Sequence, residues 1–226
     1  MSRLVAVVFI LLAGISSATA GVMASSTRVI YPAGEREKSL MLVNTNGYPV
    51  IVQSWIDDGT GNPDTAKAPF VVIPPVFRLA PQGIQGVRLL FDQTPMPQDR
   101  ESVFWLNLYE IPPVKGVAAD ARRVTLAMNT QMKIFYRPKT LTMLLEEALP
   151  KLVFRLRHDK ERWWVECENP TPLHISLIAI SVQEGAVERR IEQQMDMMVA
   201  PFSKKNYVVI GALGSTRKHQ LHLRYL

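Results

Sequence analysis

The chain contains a single cysteine, Cys167, among its 226 residues. One cysteine cannot form an intrachain disulfide, so packing and hydrogen bonds must hold the fold together even in an oxidising compartment. Cys167 follows Trp163 and Trp164 closely in the sequence, and we expect it to be a small buried hydrophobic residue. The sequence therefore excludes a disulfide-stapled scaffold.

Patterns of catalytic and metal-binding residues are also missing. The histidines show neither H-E-x-x-H spacing nor a second ligand group nearby; they are His158, His174, His219 and His222. The sequence has no nucleophile elbow and no glycine-rich loop that would cradle a phosphate. Asp57 and Asp58 are expected to be solvated in a polar loop. We therefore expect a binding protein rather than an enzyme, with no metal and no other cofactor.

A concentrated basic surface is absent as well. The net charge is +6, but lysine and arginine are dispersed and occur together only in short pairs such as Lys204 and Lys205. Aromatic residues do not alternate with them as they would on a nucleic-acid-binding surface. Solvated strand edges and loops account for the excess charge. Nucleic acid is not an expected partner.

The amino terminus has the pattern of a signal peptide. Arg3 precedes an apolar run at residues 4–14, and Ala18, Thr19 and Ala20 form a small-residue cleavage site. The run is too short to span a bilayer. Residues 1–20 are therefore predicted to be removed, which leaves an exported chain that begins at Gly21. No later stretch is long and apolar enough for membrane insertion.

The rest of the sequence has the pattern of an all-β protein. Strand-sized runs recur about every ten residues and are separated by proline, glycine and asparagine, which is typical of β-sandwiches. The one helical candidate, at residues 141–148, lies where a linker is expected. We predict a first sandwich domain at residues 21–138, a linker at 139–150 and a second sandwich domain at 151–226.

One predicted strand, at residues 124–138, combines two unusual features. Val124, Leu126 and Met128 alternate with smaller or polar residues, which places them on one face of a strand. Lys133 lies farther along, within an apolar run, and a half-buried lysine is costly unless an anion meets it. The strand therefore requires an apolar surface and a negative group, and we expect another protein to supply both.

The sequence alone leaves alternatives open for this strand. The apolar row could belong to the domain's own core, and Lys133 could extend its amino group to solvent. In a flat strand, Lys133 also lies on the face opposite to Val124, Leu126 and Met128. A bulge, a strong twist or a strand that crosses between sheets would reconcile these positions.

Several stretches together resemble a known family. They lie at residues 27–32, 53–58, 68–70, 74–79, 97–102, 104–107, 110–113, 133–138, 169–172 and 198–203. In this order they resemble the periplasmic pilus (fimbrial) assembly chaperones of the chaperone–usher pathway, over nearly all of the chain after residue 20. The moderate length of the segment 114–123, and the absence of the long-loop cysteine pair, favour the short-loop subclass.

The resemblance implies a fold and a function. The expected fold is two immunoglobulin-like β-sandwich domains, set at an angle with a cleft between them. The expected function is donor-strand complementation in the periplasm, a form of β-strand addition. Such a chaperone binds, folds and caps one pilus subunit by lending it a strand, and then delivers the subunit to an outer-membrane usher.

The resemblance also implies roles for particular residues. Arg28 and Lys133 match the two cations that bind the carboxyl terminus of the subunit. Val124, Leu126 and Met128 match the side chains that fill the groove of the subunit. Glu101 and Arg137 match two members of an interdomain salt bridge, and Ala212 stands where the family has a third, acidic member.

A different class of function is the alternative. An exported immunoglobulin-like adhesion or receptor-type binding module would share the strand pattern, but would need no cation pair buried between its domains. An apolar strand that awaits a partner also predicts that the free protein can self-associate.

Overall fold

The computed structural model describes residues 21–113, 127–159, 162–214 and 219–225. The signal-peptide prediction for residues 1–20, and Val124 and Leu126, lie outside these ranges. The described strands are β1 (Val22–Ala24), β2 (Arg28–Pro32), β3 (Glu37–Asn44), β4 (Val50–Asp57), β5 (Phe70–Ile73), β6 (Val76–Leu79), β7 (Ile84–Phe91), β8 (Ser102–Ile111), β9 (Met128–Arg137), β10 (Val153–His158), β11 (Trp163–Asn169), β12 (Ile175–Glu184), β13 (Val187–Arg190), β14 (Met198–Val199), β15 (Ser203–Val208) and β16 (His219–Tyr225). Helix α1 (Leu145–Ala148) is followed by a 3-10 turn at Leu149–Lys151, and a second such turn lies at Pro63–Thr65.

The chain divides into two compact units that interleave along the sequence. The first unit comprises the described residues up to Val29, Arg36–Gln93 and the described part of Phe104–Lys133. The second comprises Ile30–Glu35, Thr94–Val103 and the described residues from Ile134 onward. Strands β2, β8 and β9 therefore continue from one unit into the other. The domain bounds predicted from the sequence stay a prediction.

The first sandwich consists of two sheets. One has the strand order β1-β3-β7-β5, and the other has the order β2-β9-β8-β4-β6. Strand β4 shows why they pack: Val50, Val52 and Ile56 are buried, and Ile51 between them is exposed. Successive side chains of a strand point to opposite faces, so this alternation buries one face of the sheet.

The second sandwich also has two sheets. Its strands pair in the orders β10-β11-β15 and β13-β12-β14, and β16 pairs with β12. Cys167 of β11 is fully buried in the core formed with Ile175, Val182 and Tyr207, which confirms the expectation of a small buried residue. Burial raises the pKa of the Cys167 thiol to about 12, so the thiol stays protonated and poorly nucleophilic at neutral pH.

Two details differ from the sequence-based expectations. The helical candidate at 141–148 is helical only at Leu145–Ala148, and the chain then tightens into a 3-10 turn that contains Pro150, because proline cannot donate the next helical hydrogen bond. Asp57 is fully buried rather than solvated. Its carboxylate accepts hydrogen bonds from Gly59 N at 2.8 Å, Gly61 N at 2.9 Å and Asn107 Nδ2 at 2.9 Å.

A buried asparagine closes one end of each sandwich in the same way. Asn44 Nδ2 donates to the carbonyls of Tyr48, Leu79 and Ala80. Asn169 Nδ2 donates to three carbonyls in the same manner, those of Leu173, Val199 and Ala200. In each case the side-chain oxygen accepts the backbone N–H two residues later. One side chain thus satisfies several buried backbone groups that would otherwise lack partners.

No helix in the described ranges is long and apolar enough to cross a membrane.

Replacing Asn169 by alanine should destabilise the protein. The change leaves buried carbonyls without a donor, and we expect a loss of about 2–4 kcal/mol in the free energy of unfolding. Urea denaturation monitored by tryptophan fluorescence measures it. The exposed Asn206 of β15 provides a matched control, and Asn206→Ala should change stability by less than about 0.5 kcal/mol. Equal effects of the two variants would contradict the assigned role.

Candidate functional site

Strand β9 changes character along its length. Its first four residues, Met128–Gln131, are exposed, whereas Met132 and Ile134 are buried. Asn129 Nδ2 and Gln131 Nε2 both donate to Asn107 Oδ1 of β8, at 3.1 and 2.8 Å. These odd-numbered side chains therefore share one face of the strand. Met128, 51% exposed, has the parity of Met132 and Ile134 and continues their apolar row beyond the buried part.

The neighbouring strand β2 runs parallel to β9. Ala33 N, directly after β2, donates to Arg137 O at the end of β9, at 2.7 Å. If the two strands were antiparallel, this hydrogen bond would pair β2 with residues that follow the end of β9. Because β2 pairs with β9 itself, the two strands run in the same direction. In a parallel pair the hydrogen bonds are slanted, and an N–H donates to the residue before the one at its own level. Ala33 is therefore level with Pro138, and Arg28 is level with Lys133, five residues earlier in each strand.

This register leaves part of β9 with an open edge. Strand β2 begins at Arg28, so it accompanies β9 only from about Met132 onward. On that side, residues 128–131 have no strand neighbour within the described part of the chain. Their other edge is taken by β8. Exposed strand edges are templates for the addition of another strand.

Two cations lie at the step, the point where β2 begins and the open edge of β9 ends. Arg28 and Lys133 are both half-buried, and each lies on the face opposite to the buried apolar residues next to it in its own strand, Val29 and Ile134 respectively. Like charges at the same level of neighbouring strands repel. A negative group placed between them would relieve this repulsion. Both of these predicted site residues belong to the first unit.

The structure brings Glu101 and Arg137 together and adds a third residue. Arg137 Nε donates to Glu101 Oε1 at 2.7 Å. His174 N donates to the other oxygen, Oε2, at 2.9 Å, and His174 Nδ1 lies 3.4 Å from it. Glu101 N donates to Pro172 O at 2.9 Å. The side chains of Glu101 and His174 are almost fully buried, and the His174 ring packs on Phe135.

The electrostatic balance at Glu101 favours the charged form. Burial by itself would raise the pKa of the Glu101 carboxyl, but the hydrogen bonds from His174 and Arg137 outweigh it and hold the pKa below its usual value. All three residues belong to the second unit. A role of the Glu101–Arg137 pair between two domains stays a prediction, as does the role of Ala212, which is exposed in the loop after β15.

Sequence reasoning missed His174. It stands 73 residues from Glu101 along the chain, and no spacing rule links the two positions. The one local signal near His174 was the turn cluster at residues 169–172, which comes directly before it and before the first residue of β12. Of the three residues predicted to fill a partner's groove, the described part of the chain includes only Met128.

Comparison with known proteins identifies the family. Residues 21–142 match the family model of the pili and flagellar-assembly chaperone, PapD N-terminal domain. Residues 147–226 match that of the pili assembly chaperone PapD, C-terminal domain. The chain belongs to the pilus-assembly chaperones. This class is non-enzymatic, and the matches confirm the resemblance and the all-β, two-sandwich fold predicted from the sequence.

Individual relatives agree with this family. The chain is 36% identical over 201 residues to the chaperone protein HifB of Haemophilus influenzae, which covers 86% of this chain and 79% of HifB. The crystal structure of the YadV chaperone superimposes with a TM-score of 0.76 at 32% identity, and covers 91% of this chain and 92% of that one; YadV is a probable fimbrial chaperone of Escherichia coli. A Salmonella enterica structure of the SafA pilin in complex with the SafB chaperone matches with a TM-score of 0.73 at 28% identity, over 93% of this chain and 91% of that one.

Removal of the Glu101 charge should destabilise the protein in a pH-dependent way. Because the folded pKa of Glu101 is lowered, its contribution is complete above the ordinary glutamate pKa of about 4.3 and is lost as pH falls through the folded value. We expect Glu101→Gln to lower the free energy of unfolding by about 1.5–3 kcal/mol at pH 7, and the difference from the wild type to shrink below about pH 4.

Urea denaturation at several pH values measures this effect. Asp99→Asn is the matched control, because Asp99 forms an exposed pair with its neighbour Arg100, and such pairs contribute little. A loss at Glu101→Gln that stays constant between pH 7 and pH 3 would rule out the ionised carboxylate as its source.

Proposed function

We propose that this chain is exported to the periplasm, where it binds, folds and caps one pilus subunit at a time by donor-strand complementation. Residues 1–20 act as the signal peptide. The open edge of β9 and its apolar row complete a subunit that lacks a strand, and an outer-membrane usher then receives the subunit. A solved complex of a related chaperone with a pilin supports a pilus subunit as the partner.

The observation that carries this proposal is the exposed first half of β9. Met128 extends a row of buried apolar side chains into solvent, and exposing such a side chain forgoes about 1.5–3 kcal/mol of burial. The backbone beside it has an open edge. A partner strand would gain main-chain hydrogen bonds along this edge, and the apolar row would fill its groove. Val124 and Leu126 are assigned to the same row by their even parity with Met128.

Arg28 and Lys133 complete the proposal as a carboxylate anchor. A strand added along residues 124–131 meets the beginning of β2 at Arg28 and cannot pass it. If the added strand runs parallel to β9, its carboxyl terminus arrives at this step. Two cations are positioned there to receive the terminal carboxylate in charge-assisted hydrogen bonds. The anchor would thus fix the register of the partner strand.

Removal of either cation should abolish capture without unfolding the protein. Each charge-assisted hydrogen bond contributes about 1.5–3 kcal/mol, so Arg28→Ala or Lys133→Ala should weaken subunit binding by at least about tenfold. Co-purification with a co-expressed pilus subunit from periplasmic extracts measures capture. Lys67→Ala, at an exposed position of the same unit, is the matched control. Undiminished capture by both anchor variants would refute the carboxylate anchor.

The apolar row has its own test. A double variant, Leu126→Ser with Met128→Ser, should keep its melting temperature within about 3 °C, because side chains that are reserved for a partner's groove would contribute little to the folding of the free chain. It should lose subunit capture and any tendency of the free protein to self-associate. Met41→Ser alters a methionine of similar exposure, 48%, on β3, and should retain capture. A strongly lowered melting temperature together with retained capture would show that the row belongs to the core instead.

A further inference from the structure

The carboxylate of Glu110 in β8 is buried without a described cationic partner. Its side chain belongs to a residue that is 7% exposed. Oε2 accepts a hydrogen bond from Val22 N at 2.9 Å, and Oε1 accepts one from Asn46 Nδ2 at 2.7 Å. Both donors are neutral, and no lysine, arginine or histidine of the described ranges forms an ion pair with Glu110. A buried carboxylate without a counter-charge is costly.

Gly21 is held directly against this carboxylate. A Cβ atom placed on Gly21 would lie 2.8 Å from Glu110 Oε2. The Gly21 carbonyl accepts hydrogen bonds from Thr45 N at 2.9 Å and from Thr45 Oγ1 at 2.7 Å. The residue is therefore fixed in place and buried. Standard covalent geometry sets its nitrogen within about 5 Å of Oε2.

The charge on that nitrogen depends on processing. While residues 1–20 are attached, the Gly21 nitrogen belongs to a peptide bond and carries no charge. Hydrolysis of the Ala20–Gly21 bond by an export peptidase consumes one water. The oxygen of that water goes to the Ala20 carbonyl, which leaves as a carboxylate, and both protons end on nitrogen, which becomes an α-ammonium group. Cleavage thus creates a cation next to the Glu110 carboxylate.

We propose that Glu110, with Asn46 and Thr45, forms a binding site for the α-ammonium group of Gly21, and that removal of the signal peptide completes it. This inference rests on the export step of the proposed function. Asn46 orients the carboxylate, Thr45 holds the Gly21 carbonyl, and Glu110 binds the new terminus. The ion pair fixes β1, an edge strand of its sheet, to β8.

The site is specific for the position of the cut and for the first residue. If cleavage occurred one residue earlier, the ammonium group would lie up to about 3.8 Å farther along the chain, the spacing of successive Cα atoms. A side chain at position 21 would collide with Glu110 Oε2. The contact with Glu110 therefore accounts for glycine at position 21, and a cut directly before it would bring the ammonium group to the carboxylate.

The test compares two amino termini in two backgrounds. One form is secreted and begins at Gly21, as verified by intact mass. The other is produced without the signal peptide and keeps one additional residue, Ala20. We expect the extended form to melt at least about 3 °C lower. In Glu110→Gln the two forms should melt at the same temperature, whereas Glu37→Gln, which alters an exposed pair with Arg88, should preserve the difference.

A chemical readout separates ion pairing from simple packing. The neutral amine, not the ammonium group, attacks amine-reactive esters, so an ion-paired, buried ammonium group should react slowly. At pH 7 we expect the Gly21 amine to be acylated at least about tenfold more slowly in the wild type than in Glu110→Gln, as measured by mass spectrometry of the amino-terminal peptide. If Glu110→Gln does not fold, enzymatic acetylation of Gly21 in the wild type removes the charge instead and should lower the melting temperature.

The outcomes are distinct from those of the proposed function. Equal melting of the Gly21 and Ala20 forms, an unchanged difference in Glu110→Gln, or fast acylation of the wild-type amine would each overturn this inference while leaving subunit capture untouched. A chain that stays in the cytoplasm with residues 1–20 attached would overturn the export step itself. Loss of capture in the Lys133 or Arg28 variants bears on the anchor alone.

Discussion

The unequal length of two paired parallel strands determines the arrangement of the candidate site. Strand β2 is five residues long and β9 is ten, so β2 accompanies only the second half of β9. Within the described residues, this difference in length leaves an open backbone edge at residues 128–131, ends it at a defined position, and places a cation from each strand at that end. A longer β2 would cover the edge, and a shorter one would remove Arg28 from the level of Lys133.

Buried polar groups take the place that disulfides occupy in many small exported domains. Asp57 holds the following loop through the backbone N–H groups of Gly59 and Gly61, and Glu101 holds the beginning of β12 through His174. Asn44 and Asn169 each gather three carbonyls at one end of a sandwich. Such groups stabilise only when they are fully satisfied, and this requirement makes them precise connectors between distant segments.

The sequence predicted what local patterns encode and missed what depends on distant partners. Strands β5 and β6 lie on either side of Pro74 and Pro75, which interrupt the β-prone sequence and mark where one strand ends and the next begins. Strands β1 and β14 carry no such local signal, because three and two residues are too few to show a period. Asp57 was misassigned and His174 overlooked for a common reason. The burial of a polar side chain is set by residues far away in the chain, and no local pattern reports it.

Met128 and Lys133 lie on opposite faces of the same strand, which the sequence alone does not explain. The explanation lies in the different groups that the two side chains would bind. Groove-filling side chains must lie on one face, because they pack against a surface. A terminal carboxylate belongs to the backbone of an added strand and therefore lies near the plane of the sheet, between the two faces. Lysine and arginine have long, flexible side chains that can reach this plane from the face on which they start. An anchor for a chain end therefore need not share a face with the apolar row, and a strand that presents both requires no bulge to do so.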